Sequence, residues 1–362
     1  MLGSLLFKNL AKWLMSLGEE ERPQAGLRES PPSSEEPVAP TISPSDFHHP
    51  KVSRASMGCN FNIYLAGLDY DNITGAAEQA LDEITRLENR LSRFIEDSDV
   101  TRINAYASNG WVRLEPRLYQ LIRNAADISE KTNGAFDITC APLVRLWGFY
   151  AKTETPPDEQ AILNTLESVG FDHIRFDDEE SLISFAREGM EIDLGAIGKG
   201  YAIDEAADTL RRYGVEHAVI SGGDSTIYAL GCTETGEPWR FHITDPYHPE
   251  TKLCTVNLRN EALSTSAITE QFFIHDGKRY GHILDPRIGY PSETDILSST
   301  VICASAMESD AYSTAIFLMG LEEAREFCST LKGMSVVLTF IENDNTVCER
   351  LGDWDNADFP VE

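Results

Sequence analysis

One stretch, Ile192 to Asp224 (IDLGAIGKGYAIDEAADTLRRYGVEHAVISGGD), constrains the fold more than any other part of the chain. A short apolar run ends in Asp193, and a bend of small residues follows at Gly195-Ala196-Ile197-Gly198, leading into Lys199-Gly200. From Tyr201 to Tyr213 the spacing predicts a helix with Ala202, Ala206, Ala207 and Leu210 on one face. Gly214 stands where a helix C-cap belongs, and Val215 to Ile220 reads as a buried strand running into Ser221-Gly222-Gly223-Asp224. Strand, glycine bend, helix, strand, glycine bend brings two backbone-lined turns together. Turns without Cβ atoms let main-chain N–H groups approach an anion, and Lys199 adds a positive charge beside them. On residues alone the stretch is either a phosphate-handling corner or a plain tight helix–strand corner. It matches neither the Walker loop, since no Ser or Thr follows Lys199, nor GxGxxG.

Charge narrows the partners. Among 362 residues, 59 acidic against 30 basic side chains give a formal charge of −29, which disfavours nucleic acid and anionic lipid. An anionic nucleotide would then need local positive charge or a metal. The seven cysteines, at 59, 140, 232, 254, 303, 328 and 348, form no CxxC pair and read as reduced thiols. Residues 1–17 are amphipathic, with Leu2, Leu5, Leu6, Leu10, Trp13, Leu14 and Leu17 on one helical face, suited to a membrane surface or to packing back on the protein. Lys8 and Lys12 interrupt the apolar run and no lipobox follows, so a cytoplasmic chain, peripheral to a membrane through residues 1–17, is expected, with export as the alternative. Residues 18–52, rich in Glu, Pro and Ser, read as a disordered tether; the folded domain is expected over 53–345, with an acidic tail at 346–362. Within the domain, Arg54 to Leu65 reads as the first strand, Leu118 to Thr132 as an amphipathic helix ended by Asn133-Gly134, and Trp239 to Ile243 with Leu253 to Leu258 as a hairpin.

Several blocks, in order, resemble the FAD:protein FMN transferase family, the flavin transferases once named thiamine-biosynthesis lipoproteins. They are SMGCNFNIYL, ENRLSRFIEDSDVTRIN, NGAFDITCAPLVRLWGF, IDLGAIGKGYAID, SGGD, LSTSA, YGHILDPRIGYP and SDAYSTAIFLMG, between about Ser56 and Thr330. The resemblance implies an α+β fold of mixed, largely antiparallel sheets with flanking helices and a ligand cleft between two lobes. It implies FAD as substrate, Mg²⁺ as cofactor, and transfer of FMN to a Thr or Ser hydroxyl of an acceptor flavoprotein subunit in a respiratory or reductase complex, releasing AMP. Two alternatives share the resemblance: hydrolysis of FAD to FMN and AMP, and a non-catalytic FAD-binding protein.

Site residues follow from matching positions. The resemblance implies FAD contacts from Met57, Phe94, Ala135, Phe136, Asp137, Asp193, Lys199, Asp204, Gly222, Gly223 and Leu284. Phe94 stands where relatives carry an aromatic that stacks on flavin or adenine, and Asp193 and Asp204 would hold the Lys199 loop or a ribose. Asp310 and Thr314, four apart at the start of a predicted helix, can aim oxygens at one point; with Ser313 and the Ala196 carbonyl they form a hard-oxygen set suited to Mg²⁺. Ser309 or Asp310 as a helix N-cap is the competing reading. His282, three residues before Asp285, is expected to handle the hydroxyl proton with Asp285 steering it, and Lys199 to neutralise phosphate charge. The chain departs from the family's pattern at Cys59, Ser221 and Ala267.

Overall fold

A computed structural model describes residues 43–354, apart from residues 152, 154, 224 and 270. The amphipathic segment 1–17, most of the tether, Asp224 and the last eight residues lie outside the described residues. Eight strands form one sheet: β1 (Lys51–Ser56), β2 (Cys59–Ala66), β3 (His217–Gly222), β4 (Thr226–Leu230), β5 (Glu261–Ala267), β6 (Ile296–Cys303), β7 (Met334–Glu342) and β8 (Asn345–Gly352). They lie side by side in chain order, each antiparallel to the next. Seven helices accompany the sheet among the described residues: α1 (Tyr70–Leu91), α2 (Asp99–Tyr106), α3 (Pro116–Lys131), α4 (Ala141–Leu146), α5 (Glu159–Leu166), α6 (Gly198–Arg212) and α7 (Ala306–Cys328). The α+β class expected from the resemblance is the one the chain adopts.

The period-two alternation of the strands sorts side chains into two cores. Phe61, Ile63, Leu65, Ala218, Ile220, Val301, Val336 and Leu338 face one way, against Ile73, Ala77, Ile84 and Leu87 of α1, Ala202 to Leu210 of α6, and Ala311, Ala315 and Ile316 of α7. Their neighbours Tyr64, Val219, Ala229, Ile302 and Val337 face the other way, against Trp239, Phe241, Ile243, Val256 and Leu258 of an antiparallel hairpin, Trp239–Thr244 with Lys252–Leu258. The sheet is therefore covered on both faces, by helices on one and by this hairpin on the other. A third cluster joins Leu143, Trp147, Ile162, Phe273 and Leu284, with Tyr280 stacked on Phe273 at 5.2 Å.

Four local expectations are corrected. Residues 54–65 are not one strand but the tight hairpin β1–β2, turning at Met57 and Gly58, both at positive φ (49° and 74°). That two-residue geometry matches the twist of the strands, and alternation runs on unbroken across it, which hides the turn in the sequence. Helix α6 begins at Gly198, not Tyr201, because glycines at 198 and 200 obscure its first turn. Helix α7 begins at Ala306 and is capped by Ser305, whose side chain accepts from Glu308 N, so neither Ser309 nor Asp310 is its N-cap. The ordered sheet also runs beyond the expected domain limits, from Lys51 to Gly352, because residues 345–352 pair with β7 along its whole length. The 118–132 helix, by contrast, ends as its Asn133-Gly134 pair predicts, both residues at positive φ.

Candidate functional site

The site is built where α6 and α7 cross. Gly200 makes the crossing possible: a Cβ there would lie 2.1 Å from the Ala306 carbonyl oxygen and 2.8 Å from Met307 Cα. In a regular helix the Gly200 N–H would reach back to the Ala196 carbonyl. Here it donates instead to Asp310 Oδ2 at 3.0 Å, leaving the Ala196 carbonyl without that partner. Asp310 is 6% exposed, and Thr226 on β4 donates to its Oδ1 at 3.4 Å. Thus a carboxylate from α7 sits on the Gly200 amide in the first turn of α6, where the helix dipole favours negative charge.

The arrangement is reciprocal. Asp204 on α6 accepts from Ser305 Oγ (2.8 Å), Ala306 N (2.8 Å) and Met307 N (3.0 Å) at the start of α7. Each helix thereby caps the other. Asp204 was expected to hold the Lys199 loop or a ribose; its hydrogen bonds instead fix the position from which α7 presents Asp310. Burial raises the Asp204 carboxyl above the usual range, with the Met307 and Ala306 amides and the Ser305 hydroxyl pulling the other way. A folded value above the unfolded one, about 3.9, means that its contribution to stability is full below that pH and is lost as the pH rises through the folded value. Asp204→Asn is expected to flatten the dependence of Tm on pH from about pH 4 upward. Asp204→Ala, which strands three donors, is expected to lower stability by about 2–4 kcal/mol in urea unfolding. Unchanged values for both variants would remove the capping role.

Hydroxyl groups line the face beneath Asp310. Ser313 Oγ and Thr314 Oγ1 donate to the Asp310 carbonyl (2.9 and 3.5 Å) and lie 3.0 and 3.1 Å from Ser266 Oγ on β5. Ser264, opposite Thr226 in the strand register, and Ser299, opposite Ser266, are fully buried, and neither Oγ finds a hydrogen-bond partner among the described residues. Sequence reasoning placed Asp310, Ser313 and Thr314 together, but missed Thr226 and Ser266. The LSTSA block carried the signal for Ser266. Lys199, one residue before Gly200, donates to Ser225 Oγ at 2.6 Å, bringing its ammonium to the β3–β4 turn that contains Gly223. Gly222 has no room for a Cβ, which would meet Phe61 at 2.9 Å, and Gly223 turns at φ 63° beside Cys59.

A second group gathers at the other end of the 192–200 bend. Asp193 Oδ1 accepts from Gly195 N (2.9 Å), and Oδ2 accepts from the Tyr150 hydroxyl (2.5 Å). Arg93 donates to the same Tyr150 oxygen (2.9 Å) and to Glu191 (3.1 Å), and its guanidinium lies 4.1 Å from the Tyr150 ring centre. Phe94 packs edge-on against Tyr150 at 5.5 Å while staying 73% exposed. Burial and the Asp193 charge push the Tyr150 phenol far up, so it stays a donor. Phe94 and Asp193 are thus joined through Arg93 and Tyr150, neither of which was foreseen. Met57 lies on the β1–β2 turn, where its N–H donates to Glu88 (2.7 Å).

Other expected residues take internal roles. Ala135 and Phe136 are buried in the helix-side core, and Asp137 is consumed by Thr139 N, Thr139 Oγ1 and Phe171 N at 2.7–2.8 Å. This segment still reaches the site through its backbone, since the Ile138 carbonyl accepts from Asp193 N at 2.7 Å. Leu284 is buried in the Trp147 cluster. The expected steering of His282 by Asp285 gives way to another pair: Asp285 takes two-pronged donation from Arg287 at 2.8–3.2 Å, while His282 Nδ1 lies 3.1 Å from the Gln271 carbonyl. The HxxD spacing does not reveal that Arg287, two residues on, takes up Asp285. Among the described residues no group of three or more His, Cys, Asp or Glu side chains is arranged to hold a metal. Among the described residues, the oxygen set around Asp310 has one carboxylate.

Along most of its length the chain is similar to known proteins. The ApbE family model matches residues 57–338. The FAD:protein FMN transferase of Escherichia coli (strain K12) is 28% identical over 295 residues, covering 80% of this chain and 84% of the relative. One from Klebsiella pneumoniae (strain 342) is 31% identical over 264 residues, covering 73% and 80%. Among solved structures, the ApbE protein of Thermotoga maritima superposes with a TM-score of 0.77 at 30% identity, covering 84% of this chain and 97% of that one. The apo flavinyl transferase ApbE of Pseudomonas stutzeri gives 0.74 at 27% identity, covering 84% and 95%.

Proposed function

The chain belongs to the ApbE family, and from that premise we propose that it is a Mg²⁺-dependent FAD:protein FMN transferase. It moves FMN from FAD to a Thr or Ser hydroxyl of an acceptor flavoprotein subunit, forming a phosphoester and releasing AMP. The observation that carries the reading is the juxtaposition of Lys199, the Ala196 bend and Asp310 at the crossing of α6 and α7. Hard oxygens from Asp310, Thr314, Ser313 and the Ala196 carbonyl suit Mg²⁺, which takes few protein ligands beside phosphate and water. The buried Ser264 and Ser299 hydroxyls, without partners among the described residues, fit a site that completes its hydrogen bonding with a ligand or water. When bound, the ion would neutralise pyrophosphate charge.

The chain's own residues do the rest. Lys199, held toward the β3–β4 turn, offsets charge on the phosphate oxygens. Asp193, Tyr150 and Arg93 hold the Phe94 ring at the rim, where an exposed aromatic face suits a flat heterocycle. His282 remains the residue proposed to take the acceptor's hydroxyl proton, acting without Asp285. Such a reaction depends on positioning and charge neutralisation rather than on a covalent intermediate.

The test is incubation with FAD, Mg²⁺ and a recombinant flavoprotein subunit of an NADH:quinone reductase, followed by intact-mass analysis of the acceptor. A gain of one FMN phosphoester, abolished by EDTA, is expected. AMP and FMN without a mass gain would favour the hydrolase, and intact bound FAD a binding protein. Mg²⁺ and FAD are further expected to bind cooperatively, each tightening the other by about tenfold or more in calorimetric titration; independent binding would count against a shared site. No helix among the described residues is long and apolar enough to cross a membrane. The cytoplasmic placement is part of the proposal, and detection in a periplasmic fraction would overturn it.

A further inference from the structure

Away from the site, two cysteines from distant parts of the chain face each other. On the hairpin that covers the second face of the sheet, Cys254 shares the inward parity of Val256 and Leu258. On the edge strand β8, Val347 and Leu351 face the helices, which turns the even-numbered positions, Cys348 among them, toward the hairpin. Both cysteines pack against the core formed by Trp239, Phe241 and Val337, and the two thiols are within hydrogen-bonding reach of one another. Cys348 Sγ also lies 3.8 Å from the Leu253 carbonyl. Asp245, in the hairpin's loop, accepts from the Thr346 side chain two residues before Cys348. The hairpin is therefore docked on β8 at two points, and the thiols meet at one of them. Neither is in a disulfide.

We propose that Cys254 and Cys348 are a redox-modification site: a dithiol that closes reversibly to a disulfide linking the hairpin to β8. Both are only partly buried, so a small oxidant can reach them, unlike the buried Cys303 and Cys328. The order of attack is part of the proposal, and the directions of the two thiols' shifts favour one order. The hydrogen bond from Cys254, aided by the nearby Arg350 charge, draws the Cys348 thiol below its ordinary value, while that shared hydrogen bond and burial push Cys254 up. Cys348 is then the attacking thiolate and Cys254 the resolving thiol. With a small-molecule disulfide as oxidant, Cys348 Sγ attacks one sulfur and expels the other as thiolate, leaving a mixed disulfide. Cys254, giving its proton to solvent, attacks Cys348 Sγ and expels the second thiolate. Two protein thiols lose two electrons and two protons, and the oxidant is reduced to two thiols.

The test uses the intact chain equilibrated with oxidised glutathione, then alkylated and mapped by non-reducing peptide mass spectrometry. A Cys254–Cys348 linked peptide, lighter by two hydrogens and lost on adding dithiothreitol, is expected. Because the bond closes a loop of about 95 residues, Tm should rise by several degrees on oxidation. In Cys254→Ser the reaction should stop at a stable glutathione adduct on Cys348. The proposal is overturned if both thiols of the native chain stay alkylatable under those conditions, if links join either cysteine to another, or if the adduct on Cys348 persists in the unmodified sequence. The readout is independent of flavin transfer, and circular dichroism of the serine variant separates misfolding from lost chemistry.

Discussion

Replacing Asp310 with asparagine is expected to slow FMN transfer on the order of 10³-fold while leaving the protein folded. Gly200 N–H and Thr226 bond to different oxygens of Asp310; asparagine can keep its oxygen toward Gly200 N–H and donate from its NH2 to the Thr226 hydroxyl, so both contacts that tie α7 to α6 and β4 can persist. What it removes is the negative charge, and with it the capacity to hold a hard divalent cation. Rate and stability should therefore separate. The initial rate of acceptor labelling, followed by intact mass over a range of Mg²⁺ concentrations, is expected to collapse, while Tm shifts by no more than a few degrees. Asp310→Ala should lose the rate equally and about 1 kcal/mol of stability besides, because the helix cap goes with the charge. A transfer rate within about threefold of the parent at all Mg²⁺ concentrations would sink the assignment of this carboxylate.

The second large effect is purely steric. Gly200→Ala is expected to destabilise the chain by about 2–4 kcal/mol, although alanine is the better helix former by about 1 kcal/mol. Its Cβ would fall 2.1 Å from the Ala306 carbonyl oxygen and 2.6 Å from the carbonyl carbon. Those are backbone atoms at the capped start of α7, so no side-chain rotation relieves the overlap and the helices must part. Parting them also pulls Asp310 from the Gly200 amide, so transfer should weaken along with stability. Gly198→Ala supplies the control: its Cβ meets only Leu194 Cβ at 3.8 Å, an ordinary contact. Urea midpoints that fall together for the two variants would show that the close crossing is not what glycine at 200 serves.

How much of this could be read beforehand depended on whether the information was local. The helix ending at Asn133-Gly134 and the 239–258 hairpin are specified by residues adjacent in sequence, and both appear as expected. The grouping of Asp310, Ser313 and Thr314 was visible because i, i+3 and i+4 positions share a helical face whatever the surroundings. Asp204 was not, because its partners lie on another helix about a hundred residues away, and nothing in the sequence around it distinguishes a carboxylate that caps from one that binds sugar. The same holds for Tyr150, reached by Arg93 and Asp193 from two separate segments. Asp285 misled in the opposite sense. His282 is near in sequence, but Arg287 is both nearer and complementary in charge, and it takes up Asp285.

The order of the sheet bears on how the chain comes off a ribosome. Strands β3 to β8, six of the eight, are each laid beside the sheet strand that precedes them in the chain, so that part of the sheet can extend as synthesis proceeds. The β1–β2 hairpin cannot join it early. Its partner β3 lies beyond α1 to α6, and the contact of Asn62 with Ser221 spans 159 residues. At roughly 5–20 residues per second, the first hairpin waits about ten seconds or longer for a neighbour. Throughout that interval β2 presents an open edge with apolar Phe61, Ile63 and Leu65 on one face, and helix α1, made immediately afterwards, is the next element among the described residues that packs on them. Nascent-chain aggregation should therefore be most sensitive to substitutions in α1, even though that helix carries none of the proposed chemistry.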